Sequence, residues 1–405
     1  MKTIITKGYF AAALVALAAT SLSGCKGDEL PGEMQTAGID NVKRIVLSPN
    51  SLALVADGKS ELAFQVDFYY SLDGRTDSLS RMLPDRVPLD EVTITASDGK
   101  QLTPADVYTT TANAEEMTFT AEYGGMKSTP VTAKLYPAEQ EKYEPLTIPV
   151  VFKVLYSPVT VGETVALTDS LFQAIIDRTN QVFKGTLMNA PSKADAGVTF
   201  TLQSVDRIGV TQEEEEDWYF LDTWFEENSD GNEEEVLTVW VTSMSNYDLS
   251  YATPWFTLGN ADELPWIAPD EYASIDELRD DWSFGVSDMG INLTFRDILR
   301  TLSGEGMRFE YALGTFYGLV EPSFLPEDYK DGLDADLCAD TYTYNARFSN
   351  FNKQTFPDGG GNVVRYKSFN LMESPSSCMV ITRDQARQLR QVMKDVPFRQ
   401  QGYKQ

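Results

Sequence analysis

The chain of 405 residues contains no histidine. Imidazole is the usual nitrogen ligand of zinc and the commonest general base near neutral pH. Its absence excludes a Ser-His-Asp triad, a Cys-His nucleophile pair and any zinc site built on histidines. Cysteine is scarce, at three residues, so the chain is not a disulfide-dense scaffold. Positive charge is in short supply: 33 Lys and Arg stand against 61 Asp and Glu, a formal net charge of −28. Such a surface repels phosphates, which argues against nucleic acid as a partner and for high solubility. The N-terminal apolar run Tyr9–Ala19 is too short to span a bilayer. No P-loop or dinucleotide fingerprint occurs, and Gly359-Gly360-Gly361 after Pro357 reads as a flexible loop. No pair of carboxylates stands out for glycoside hydrolysis.

The length suggests two or three domains with room for a sizeable core, and 42% hydrophobic residues is ordinary for a globular chain. From Asn41 to Pro137, alternating runs recur at Val42–Leu47, Ser51–Val55, Leu62–Tyr70, Val92–Ala96, Met117–Tyr123 and Val131–Tyr136. Turn pairs such as Pro49-Asn50, Asp57-Gly58, Asp98-Gly99 and Gly124-Gly125 separate them. Short strands at that spacing predict a β-sandwich. A charged linker follows at 138–146. Thr147–Tyr156 then reads as a strand buried on both faces. Asp169–Phe183 carries apolar residues at helical spacing, with Thr168 or Asp169 as its N-cap. Gly197–Val205 and Val236–Met244 read as strands, Leu258–Asn292 as an irregular loop or lid, and Thr294–Leu302 as a short helix. The acidic runs Glu213–Asp217 and Glu233–Glu235 read as solvated loops inside an insertion, 212–235, that also holds Trp218 and Trp224.

Phe309–Glu321, FEYALGTFYGLVE, predicts a helix from near Met307 that stops around Gly318. Alone, it has the pattern of any buried amphipathic helix. It also resembles the zinc helix of metzincin metallopeptidases, H-E-x-x-H-x-x-G-x-x-H, in which two histidines one turn apart and a third after a glycine turn grip the metal. Tyr311, Thr315 and Glu321 stand in the three histidine slots, and Ala312 in the slot of the catalytic Glu, while Leu313, Gly314, Gly318 and Leu319 are retained. Four more segments resemble the pappalysin-like branch, in the same order. TIPVVFKVLY resembles its first strand, with Lys153 where histidine is frequent. DLCADTYTYN (Asp336–Asn345) resembles DYCxDTPTYN. SFNLME (Ser368–Glu373) resembles the Met-turn, with Met372 as the floor under the metal. ITRDQARQLRQVMKDVP (Ile381–Pro397) resembles the closing helix, with Thr382 as N-cap and Gln388 in place of an Arg.

The segment IVLSPNSLALVADGKSELAFQV resembles the start of bacterial Ig-like domains. Leu22-Ser23-Gly24-Cys25, after Lys2, Lys7 and the apolar run, resembles a lipobox. The acidic Lys26-Gly27-Asp28-Glu29 resembles the export signal of surface lipoproteins in Bacteroidetes-type bacteria.

These resemblances imply a multidomain chain. Residues 1–24 are a signal peptide and 25–40 a tether lipidated at Cys25. An all-β Ig-like sandwich covers 41–137, and an α+β metzincin-like (zincin) domain covers 147–400. They imply an outer-membrane, cell-surface lipoprotein, with a periplasmic-facing location as the alternative. Cys338 and Cys378, an even pair in an oxidising compartment, are expected to form a disulfide. The zinc ligands and base are gone, so no catalytic residue, zinc or other cofactor is expected. Aspartates crowd 328–340, and Asp331, Asp334 and Asp336 are weak calcium candidates without EF-hand spacing. The expected role is a non-catalytic binding or scaffold protein for a protein or glycan ligand, held to the membrane by its lipid. A peptidase using another site and a structural subunit of a surface assembly are the alternatives.

Overall fold

The computed structural model describes residues 39–72, 79–83, 86–216, 225, 227–232, 235–243, 290–303, 309–324, 336–345, 352–355, 364–367, 369–373, 379–395 and 399–403. Their fold is mostly β-sheet with few helices, as in a multidomain α+β protein. The chain falls into two compact units, 1–44 with 68–87, and 45–67 with 88–405.

The N-terminal strands are β1 (Val42–Pro49), β2 (Ala53–Ala56), β3 (Leu62–Tyr70), β4 (Ser80–Arg81), β5 (Thr93–Ala96), β6 (Gln101–Leu102), β7 (Val107–Tyr108), β8 (Glu116–Tyr123), β9 (Met126–Lys127) and β10 (Val131–Pro137). One sheet has the order β1-β3-β4, with β7 on β3; the other has the order β2-β10-β8-β5-β6, with β9 on β8. In the first unit, the Ser71 amide donates to the Asn41 carbonyl at 3.1 Å and the Met82 amide to that of Phe68 at 2.7 Å. There Tyr69 and Tyr70 pair with Arg81 and Ser80. In the second unit, Phe64 of β3 meets Phe119 of β8 at 4.8 Å between ring centroids, and Tyr108 meets the same ring at 4.9 Å. Phe64 and Tyr108 belong to paired strands of one sheet and Phe119 to the other, so the rings meet where the two sheets face each other.

The remaining strands are β11 (Leu146–Tyr156), β12 (Val198–Gly209), β13 (Leu237–Thr242), β14 (Gly290–Thr294), β15 (Ser323–Phe324), β16 (Tyr344–Asn345), β17 (Asn352–Thr355) and β18 (Val364–Lys367). The helices are α1 (Asp169–Phe183), α2 (Gln212–Glu216), α3 (Phe295–Thr301), α4 (Phe309–Phe316) and α5 (Arg383–Asp395). The main sheet has the order β12-β11-β13-β14, and every pairing in it is parallel. Parallel neighbours require a crossover, and α1 supplies the one between β11 and β12. It is capped by Thr168, whose hydroxyl accepts from the Leu171 amide. On one face of β11, Phe152 meets Phe172 of α1 at 4.5 Å and Phe309 of α4 at 5.4 Å. On the other face, Leu155 packs with Trp240 and Phe225, and the last two rings stack at 4.4 Å. With both faces covered, β11 is nearly all buried, as its continuous apolar run predicts.

Two expectations are corrected. Residues 290–292, expected in an irregular loop, begin strand β14: Ile291 and Leu293 pair with Val239 and Val241 and lie in the core. Five residues opening on Gly290 were too few for a periodicity to show. The run Glu213–Asp217, expected as a solvated loop, largely forms α2. Glu215 is buried there and accepts from the Thr160 hydroxyl at 2.7 Å. A hydroxyl fifty-five positions away makes that burial possible, and no local pattern reports it. Trp218 and Trp224 lie outside the described residues.

Candidate functional site: a histidine-free helix, its glycine turn and the 369–373 turn

All eight residues of α4 are buried. The helix stops in two hydrogen bonds of a Schellman motif: the Gly318 amide donates to the Thr315 carbonyl at 3.0 Å and the Leu319 amide to that of Gly314 at 2.8 Å. Gly318 sits at φ +84, and a Cβ there would lie 2.5 Å from a Val392 methyl of α5. Glycine meets both demands. The left-handed turn brings Glu321 back beside the helix, where the Tyr311 hydroxyl donates to its Oε2 at 3.3 Å. Tyr344 of β16 reaches the same carboxylate through its hydroxyl, which also lies 2.7 Å from the Glu373 carbonyl. Burial, then the Glu321 charge, pushes the Tyr344 phenol far above its ordinary range, so it stays protonated.

The 369–373 turn lies against the same helix. A Cβ on Gly314 would meet Met372 Sδ at 2.6 Å, so the thioether presses directly on the α4 backbone. Asn370 shapes this turn. Its Oδ1 accepts from the Met372 amide at 2.8 Å and from Gln385 Nε2 of α5 at 3.1 Å.

Tyr311 and Glu321 are therefore together, with Met372 against the neighbouring turn of the helix. Thr315 lies one turn along the helix from Tyr311, and its hydroxyl donates to the Tyr311 carbonyl at 3.2 Å. Ala312 is packed in the core. Asp336 is buried, with the Thr341 hydroxyl 2.9 Å from both of its oxygens. The Cys338 thiol is buried and donates to Gln388 Oε1 at 3.3 Å, and no disulfide occurs among the described residues. Cys25, Asp331, Asp334 and Cys378 lie outside them. No grouping of three His, Cys, Asp or Glu side chains suited to a metal occurs among the described residues.

The residues at 311, 315 and 321 do not fit zinc. Zinc takes three or four strong nitrogen, thiolate or carboxylate donors. Here one carboxylate is already engaged by two phenols, and the only other side-chain donors at these positions are a phenol and an alcohol committed to a helix carbonyl. Ala312 has no proton-accepting group.

Two ion pairs, one on α4 and one on β11, do not follow from sequence patterns. Glu310, buried on α4, lies 3.2 Å from Arg178 Nε of α1, and the same guanidinium donates to the Thr301 carbonyl at 2.6 Å. Lys153, buried on β11, lies 2.7 Å from Asp230 and donates to the Asn228 carbonyl at 3.2 Å; its ammonium is 4.7 Å from the Trp240 ring centroid. The available signal was a single charge inside an otherwise apolar helix and strand. It marks a buried ion without naming the partner.

No family model matches the sequence, and no curated protein matches it. Among solved structures, one similar chain comes from "Structure of a chaperone-substrate complex", at 10% identity and a TM-score of 0.26. The match covers 75% of this chain and 41% of that one. A likeness so low carries no argument about fold or function.

Proposed function

We propose that this chain is a surface-anchored lipoprotein whose C-terminal region keeps the frame of a pappalysin-like metzincin but neither its zinc nor its hydrolytic activity. It works by binding a protein or glycan without cutting it. The reading includes an Ig-like sandwich at 41–137, a metzincin-like domain at 147–400, and a lipid on Cys25. One observation carries it: at the slots of the three metal ligands, Glu321 is tied to Tyr311 and Tyr344, while Ala312 stands in the slot of the base. Loss of both the Lewis acid and the base removes the two groups on which zinc-dependent hydrolysis rests. The order of the five resembling segments supports the same reading.

The test is metal analysis of the purified chain together with a broad peptide-cleavage screen. Neither stoichiometric zinc nor chelator-sensitive cleavage is expected, and either one overturns the proposal. A fourfold variant, Tyr311→His, Ala312→Glu, Thr315→His and Glu321→His, examines the frame itself. It is expected to gain stoichiometric zinc. A folded variant that binds none would show that the helix is not a metzincin zinc helix.

A further inference from the structure

Asp340 closes the N-terminus of α5 from a distant part of the chain. Its Oδ1 accepts from the Thr382 hydroxyl at 2.7 Å. Its Oδ2 accepts from the Asp384 amide at 3.1 Å and from the Tyr136 hydroxyl, on β10, at 3.3 Å. One carboxylate, 1% exposed, thus joins the end of β10 to the first turn of α5. All three donors are neutral. Of the neighbouring cations, Arg383 feels the Asp340 charge through space but makes its hydrogen bonds elsewhere. Arg387 Nη1 contacts the Asp384 carboxylate at 2.7 Å and its Nε lies 4.0 Å from Glu141. Arg383 donates to the carbonyls of Ala138 and Glu139 at 3.3 and 3.4 Å, with its guanidinium 5.6 Å from the centroid of the Tyr136 ring. Lys134, on β10, has its ammonium 4.7 Å from the same centroid. Tyr143 and Asp57 act on these guanidiniums from farther off. Asp384, 8% exposed, is the second carboxylate at the junction.

We propose that Asp340 and Asp384 form a pH-operated clasp, tight in mild acid when Asp340 holds a proton and looser near neutral pH when both carboxylates are charged. The geometry gives the reason. A buried carboxylate with neutral donors and an acid for a neighbour is poorly compensated when ionised, and a proton removes both the desolvation cost and the repulsion. Burial first, and the Asp384 charge second, raise the Asp340 carboxyl from its ordinary value of 3.8 to about 6, against the opposing pull of its hydrogen bonds. The closed junction therefore holds the proton more tightly than the open one. Its advantage is complete below the ordinary carboxylate value and is lost as pH rises through about 6.

Hydrogen exchange on the full chain tests this at residues 131–137 and 382–388, after correction for the intrinsic pH dependence of exchange. Opening of this junction is expected to be about tenfold more frequent at pH ~7.5 than at pH ~5. Asp384→Asn removes the neighbouring charge and is expected to shift the midpoint towards the ordinary carboxylate value. Asp340→Asn is expected to abolish the pH dependence of opening. Equal opening at the two pH values in the native chain overturns the clasp, as does a pH dependence that survives in Asp340→Asn. Should Asp340→Asn fail to fold, the native chain against Asp384→Asn decides: an unmoved midpoint counts against the proposal.

Discussion

Gly318 governs the candidate site at the scale of a single residue. It ends α4, turns the chain through a left-handed conformation, and lets α5 approach until Val392 occupies the space a side chain would take. A Cβ at this position is penalised twice, by the backbone and by a methyl group on a well-packed helix. Gly318→Ala is expected to destabilise the protein by roughly 1–3 kcal/mol, read as a lower denaturant midpoint. It is also expected to weaken the contact between Tyr311 and Glu321, which depends on the chain returning at that angle. An unchanged midpoint would mean that α5 can withdraw at no cost. Lys153 and Glu310 follow a different rule. Each is a buried ion held by an opposite charge, and such pairs cost much to break from one side while adding little net stability.

Capping decides where elements begin. Thr294 and Asp297 form a capping box on α3, and Thr168 caps α1. Thr211 and Glu214 form the same reciprocal pair on α2. On α5, the Gln385 amide donates to the Thr382 hydroxyl at 3.3 Å, and the Thr382 amide donates to Gln385 Oε1 at 3.1 Å. The Thr382 hydroxyl also donates to Asp340, so it serves both the helix and the junction with β10. Thr382→Ala is expected to cost about 1–2 kcal/mol in chemical denaturation. Thr382→Ser, which keeps the hydroxyl, is expected to recover most of it. Equal losses in both variants would assign the effect to the lost methyl group rather than to the cap.

For the whole molecule, charge is the dominant fact. A net charge of −28 imposes self-repulsion on any compact state, and salt screens repulsion between surface charges. Raising the ionic strength from about 20 to about 300 mM is expected to raise Tm by a few degrees. Among the described residues the exposed pairs that salt would weaken are few, and the buried Glu310–Arg178 pair is shielded from it. A fall in Tm with salt would show that surface ion pairs outweigh the repulsion. No helix among the described residues is long and apolar enough to cross a membrane.

Local patterns were enough for much of this. β3 and α1 were legible residue for residue, because alternation and a 3.6-residue period are properties of the strand or helix alone. The cap at Thr382 and the stop at Gly318 were legible as well, and Thr168 was one of the two caps open for α1. The missing histidines settled, without any structure, that no three-histidine metal site can form. Tertiary structure decided which buried polar groups meet. Asp340 and Tyr136 lie 204 positions apart, Tyr344 and Glu321 23 apart, and Thr160 and Glu215 55 apart. Each contact depends on how several elements pack at once, and a buried charge in sequence shows only that a partner must exist. The short strand β14 was hidden for a related reason: its place is set by pairing with β13, and five residues carry too little pattern to declare it.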